Sequence, residues 1–212
     1  MNAIWFINNL ITYICLLPIC IYLFSFRLLY SKNKLIFIYL SACLLVELIM
    51  DVNRSYNIIN QIYLIDLFVY FEMILFGFFS FKYLSKTMLF LLILIIILMF
   101  SMLLISIYKH NNPLNSMLSI QLGSGRLVLL LISINVLLSS FEMKIEKWKK
   151  TIIHALLIYS FLGITIYAFA EFFARYNEYA VYFYIINAIS NLVFYVLLTI
   201  SLIQCKKQFS QA

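Results

Sequence analysis

Apolar residues fill this chain in seven long blocks separated by short polar stretches, and the blocks are solid rather than alternating, as in the unbroken run from Leu89 to Leu98. A helix rising about 1.5 Å per residue needs around 20 apolar residues to cross a hydrocarbon core of about 30 Å. The blocks predict seven such helices, at about 4–26, 35–53, 60–81, 87–108, 118–140, 152–174 and 179–204. Lipid gives backbone polar groups no outside partner, and a barrel would read as short alternating segments. The expected fold is therefore all-α, a polytopic integral membrane bundle of seven transmembrane helices forming one domain over 1–212. Connections of roughly four to twelve residues leave no room for a soluble domain.

Composition agrees, with 66% hydrophobic and 11% charged residues and a mean hydropathy of +1.04. A soluble globular domain carries about 25% charged residues, so that class is excluded. The formal charge of +7 would suggest nucleic acid in a soluble protein. Here its distribution points to the lipid bilayer, with anionic headgroups as counter-charge.

One set of connections holds Arg27, Lys32 and Lys34, then Lys82 and Lys86, then Lys144, Lys147, Lys149 and Lys150, and last Lys206 and Lys207. The other set, with the polar helix ends beside it, holds only Arg54, Lys109, Arg126 and Arg175. Basic loops stay cytoplasmic, so eleven against four predicts an outer N-terminus and an inner C-terminus. The expected location is a bacterial cytoplasmic (inner) membrane. The first block lacks a basic leader and an Ala-x-Ala-like cleavage site, which predicts a retained anchor rather than a signal peptide. The segment Met143 to Lys150 predicts a short interfacial helix with Trp148 at the headgroups and Lys144, Lys147, Lys149 and Lys150 free to meet lipid or a cytoplasmic partner.

Candidate chemistry lies where polarity is costly, since a charge near the bilayer centre costs about 2.5–3.5 kcal/mol and persists by pairing or lining a pathway. Glu47, Asp51 and Arg54 share one face of the second helix. The third presents Asp66 and the deeper Glu72, six residues apart and so on opposing faces. The fifth carries Gly123-Ser124-Gly125-Arg126, where Arg126 is the natural partner for Glu47 or Glu72, with Asn135 deeper. The seventh has Asn187 and Asn191 four residues apart, extended by Tyr184 and Tyr195. Glu47, Glu72, Arg126, Asn187 and Asn191 are the candidate ligand or ion site. Asp51, Arg54, Asp66, Glu171 and Arg175 form an expected outer rim of an outward-opening polar cavity. Interhelical glue, worth about 0.6 kcal/mol per contact, is the competing role for the same groups.

Missing residues exclude several chemistries. Retinal photochemistry needs a lysine inside the last helix, and Lys206 and Lys207 lie beyond it. A zinc hydrolase needs about three histidines, and the chain has His110 and His154, expected on opposite sides. A rhomboid-like serine protease would need Ser124 and His154 within about 3 Å, yet they belong to opposite halves. Cys15, Cys20 and Cys43 lie in spans and Cys205 beside the tail, so neither an outer disulfide nor a metal site is expected. No cofactor and no catalytic constellation are read. Proline-glutamine motifs of small sugar carriers and the motifs of animal G-protein receptors are missing too.

The late Glu47, Glu72 in an aromatic third helix, Asn115-Ser116, and Asn187 with Asn191 before Lys206-Lys207 together resemble a group of small bacterial seven-helix membrane proteins. The resemblance covers most of the chain and implies the fold; it carries no activity onto these residues. Two functions remain. One is a receptor-like or sensory module whose outward polar site signals through a separate cytoplasmic protein. The alternative is a small-solute or ion transporter or channel, proton-coupled in one version.

Overall fold

The computed structural model describes residues 16–26, 29–30, 33–56, 61–108, 115–169 and 177–210. They form helices over 16–24 (α1), Lys34–Tyr56 (α2), Gln61–Ser80 (α3), Lys86–Tyr108 (α4), Asn115–Glu142 (α5), Lys147–Ala168 (α6) and Asn177–Ser210 (α7). A 3-10 turn, Phe81–Tyr83, follows α3, and the described residues contain no strand. Local chemistry sets the boundaries. Ser85 begins α4, its Oγ accepting the Met88 N–H at 3.2 Å as an N-cap does. The Phe169 N–H closes α6 onto the carbonyls of Thr165 and Tyr167.

Three helical stretches, Gly123–Glu142, Lys147–Ala168 and Ile185–Ser210, are long and apolar enough to cross a membrane. Shorter apolar stretches occupy Lys34–Val46 and Lys86–Leu98. The outside of the bundle suits the same solvent: Phe24 is 89% and Phe141 87% exposed, a surface that water disfavours and acyl chains do not.

Side-chain pairs give the helix directions. Tyr39 of α2 meets Phe76 of α3 at 5.1 Å, as an antiparallel hairpin requires. Glu72 pairs with Arg126, and Tyr83 just beyond α3 accepts the Ser139 hydroxyl at 2.9 Å, so α3 and α5 run parallel. Arg126 packs beside Gly163, and Gly123 faces Tyr167, which makes α6 antiparallel to α5. Thr151 donates to Gln204 at 2.9 Å while Tyr159 stacks on Phe194 at 4.7 Å, turning α7 back again. The closest packing follows α5, α6 and α7, around Leu129, Ile132, Ile152, Leu156, Leu198 and Leu202. By contrast α4 leans only lightly on its neighbours and turns Phe90, Ile97 and Leu98 outward.

Three helix ends and one side chain depart from expectation: α6 stops at Ala168 instead of about 174, and α7 runs on to Ser210, so Lys206 and Lys207, expected beyond it, belong to its last turns. Helix α6 starts at Lys147, so the lysine-rich segment forms its first turn and the α5–α6 link shrinks to residues 143–146. Trp148, expected at the headgroups, is 2% exposed and packs edge-on against Phe79 at 6.4 Å. The reason is rotation: with helix already formed at 147, position 148 falls on the face that carries Ile152 and Leu156 into the core.

Candidate functional site

Among the described residues, the densest polar contacts inside the bundle centre on Glu72, in the middle of α3 and 0% exposed. Phe68 and Phe76, one turn to either side, share its face and both pack against Tyr39 of α2. That packing puts the Tyr39 hydroxyl 3.1 Å from Glu72 Oε1, to which it donates. From α5, Arg126 Nη1 donates to Glu72 Oε2 at 2.7 Å. From α6, Tyr159 donates to Oε1 at 3.5 Å while accepting a short bond from Arg126 Nη2. Glu72 thus faces three donors carried by three other helices.

Arg126 is held as firmly as the acid. It is 6% exposed, and its guanidinium carbon lies 3.9 Å from the centre of the Tyr159 ring, a cation–π approach strengthened by the absence of water. The Tyr159 ring in turn stacks on Phe194 of α7, which also meets Tyr39 edge-on at 5.9 Å. Gly163 makes this possible. A Cβ at that position would stand 3.0 Å from both Cγ and Cδ of Arg126, so the arginine stem runs through space that only glycine leaves open on α6.

The chemistry available is that of a closed, charge-compensated network. A buried carboxylate and guanidinium bonded to each other and to phenols avoid the penalty of an isolated charge. Separating them requires new partners for both. Glu72 lies eight residues before Ser80 in α3, about 12 Å along the axis.

The other sequence candidates divide into groups. Asn187 and Asn191 are half-buried on α7, two turns and one turn before Tyr195, which lies within electrostatic reach of Tyr39. Neither bonds to Glu72 or Arg126. Glu47, Asp51 and Arg54 belong to α2 and Asp66 to α3, with side chains outside the described residues. Glu171 and Arg175 lie outside the described residues altogether. Lys144 and Lys147 are exposed, Lys149 pairs with Glu146 at 2.9 Å, and Lys150 is half-buried. Cys20 is exposed while Cys43 and Cys205 are buried, and no group of three metal-ligating side chains occurs among the described residues.

Sequence reasoning missed Tyr39, Tyr159 and Gly163. Sixteen tyrosines in an apolar chain give no means of choosing two, and the only hint was the Phe68, Glu72, Phe76 spacing on one face of α3. No protein-family model matches the chain, and neither a curated protein nor a solved structure shows detectable similarity to it.

Proposed function

We propose that the chain is a sensory membrane module, with all seven apolar blocks crossing the bilayer, the N-terminus outside and the C-terminus inside, and the Glu72–Arg126 network as its two-state element. The observation that carries this reading is the convergence of four helices on one buried ion pair. Packed hydrophobic residues of similar volume hold a bundle together as well as a buried pair does, or better, so stability alone does not call for one. A pair that must open as a unit suits a switch. A stimulus on the outer side that favours separated α3 and α5 would shift the population to the open state. The inner ends of those helices would then move relative to α6, and a separate cytoplasmic protein would read the change.

Transport is the second reading, and the half-buried Asn187 and Asn191, on the same apolar helix as Tyr195, favour it: polar side chains inside a membrane helix can line a path for an ion or polar solute. One experiment separates the two. Spin labels at Phe81 and Phe141, both exposed beside the inner ends of α3 and α5, report their separation in reconstituted protein. The sensory reading expects one distance in the wild type and a second, longer population in Glu72→Gln. A single unchanged distance, together with proton flux through wild-type vesicles that Glu72→Gln abolishes, would replace sensing by transport.

A further inference from the structure

The interhelical contacts bring the lysines together at one end of the bundle. Ser139 bonded to the Tyr83 carbonyl joins the end of α5 to the turn after α3. Lys149, salt-bridged to Glu146, lies against the same Tyr83, and Thr151 ties the start of α6 to the end of α7. The α2–α3 hairpin returns Lys34 to the level of Ser80. All nine lysines whose side chains are described therefore share this end, accompanied by only two described acids, Glu142 and Glu146. Lys82, Lys86, Lys144, Lys147, Lys206 and Lys207 are exposed.

Exposed apolar side chains sit among them. Phe81 is the neighbour of Lys82, and Phe141 and Met143 precede Lys144, all three turned outward. An acidic soluble partner would need the charges alone. Ammonium groups interleaved with outward-facing phenyl and thioether groups match the boundary where lipid phosphates give way to the first methylenes.

We propose that this end is a binding surface for anionic phospholipid, its lysines taking the headgroup phosphates while Phe81, Phe141 and Met143 seat between the upper acyl chains. Because these residues carry the inner ends of α3 and α5 and the start of α6, headgroup charge sets the resting position of the helices that the Glu72–Arg126 pair locks. The inference rests on the membrane reading above, and its test keeps the two apart.

Full-length protein is first shown to resist carbonate extraction from membranes; extraction would sink the membrane reading itself. Detergent-solubilised wild type and the variant Lys82→Gln/Lys86→Gln/Lys144→Gln/Lys147→Gln are then compared for phospholipid retention by native mass spectrometry and for thermal unfolding. Added phosphatidylglycerol, phosphatidylcholine and inorganic phosphate are the three probes. Each lysine near an anionic surface strengthens partitioning by about fivefold, so the variant should retain phosphatidylglycerol at least about tenfold less well. Wild-type Tm should rise with phosphatidylglycerol alone, and the rise should shrink as salt screens the lysines. Equal effects of phosphatidylglycerol and phosphatidylcholine would overturn the proposal. So would an equal effect of inorganic phosphate, which would make the surface a site for a free anion. Unchanged lipid retention in a variant that loses an acidic protein partner would replace lipid by protein. Should the variant fail to fold, the salt and lipid dependence of the wild type decides alone.

Discussion

At the residue scale the decisive fact is that Glu72, wholly buried, is paired with the Arg126 guanidinium at 2.7 Å. Removing one half of such a pair leaves an uncompensated charge and costs about 3–5 kcal/mol, whereas removing both can be near neutral. Arg126→Ala should therefore reduce folded yield and thermal stability more than Arg126→Ala combined with Glu72→Gln, measured by unfolding in detergent. Additive losses would show that the two side chains act independently. Tyr39→Phe deletes one of three donors and keeps the ring between Phe76 and Phe194, so its cost should be about 1 kcal/mol. The acid and the base could be read from the sequence because charge in an apolar block is rare. Their phenolic partners could not, because tyrosine is common here and its role depends on helix rotation.

At the element scale, α5 and α6 each place a glycine at their contact, and only one of the two is needed there. A Cβ at Gly123 would meet Tyr167 Cβ at 3.7 Å, ordinary contact, whereas at Gly163 it would press on the Arg126 stem at 3.0 Å. The arginine cannot retreat while Glu72 and Tyr159 hold its far end. Gly123→Ala should be close to neutral, and Gly163→Ala should cost about 1–3 kcal/mol, with the difference largely abolished in an Arg126→Ala background. Trp148 offers a second test. As a buried residue packed on Phe79, its change to Ala should lower stability by about 3–5 kcal/mol; a headgroup anchor would lose far less. Hydropathy alone placed the ends of α2, α3, α4 and α5 within about three residues but missed the start of α6 by five and the ends of α6 and α7 by six, and it carries no information about which residue of an all-apolar helix turns inward. That is why the placement of Trp148 was missed.

At the scale of the whole molecule, the lysine-rich connections fall together in sequence pattern and in space. Counting basic residues along the chain separates a lysine-rich set of connections from a poorer one and predicts that the rich set faces the cytoplasm. The hydrogen bonds from Ser139 to Tyr83 and from Thr151 to Gln204, which owe nothing to that count, gather the same connections at one end. Had one of these helices run in the opposite direction, the lysines would have been spread over both ends and the charge rule would have had no single face to act on. The proposed topology then makes a sharp statement about position. A fluorescent protein fused after Gln211 should fluoresce while alkaline phosphatase fused there stays inactive, and phosphatase inserted at Asn112 should be active. Replacing Lys144, Lys147, Lys149 and Lys150 by Gln removes the largest basic cluster and should raise phosphatase activity at the C-terminal fusion, as part of the population inserts inverted. Phosphatase activity at the unmodified C-terminus would reverse the orientation and put the lysine-rich end outside.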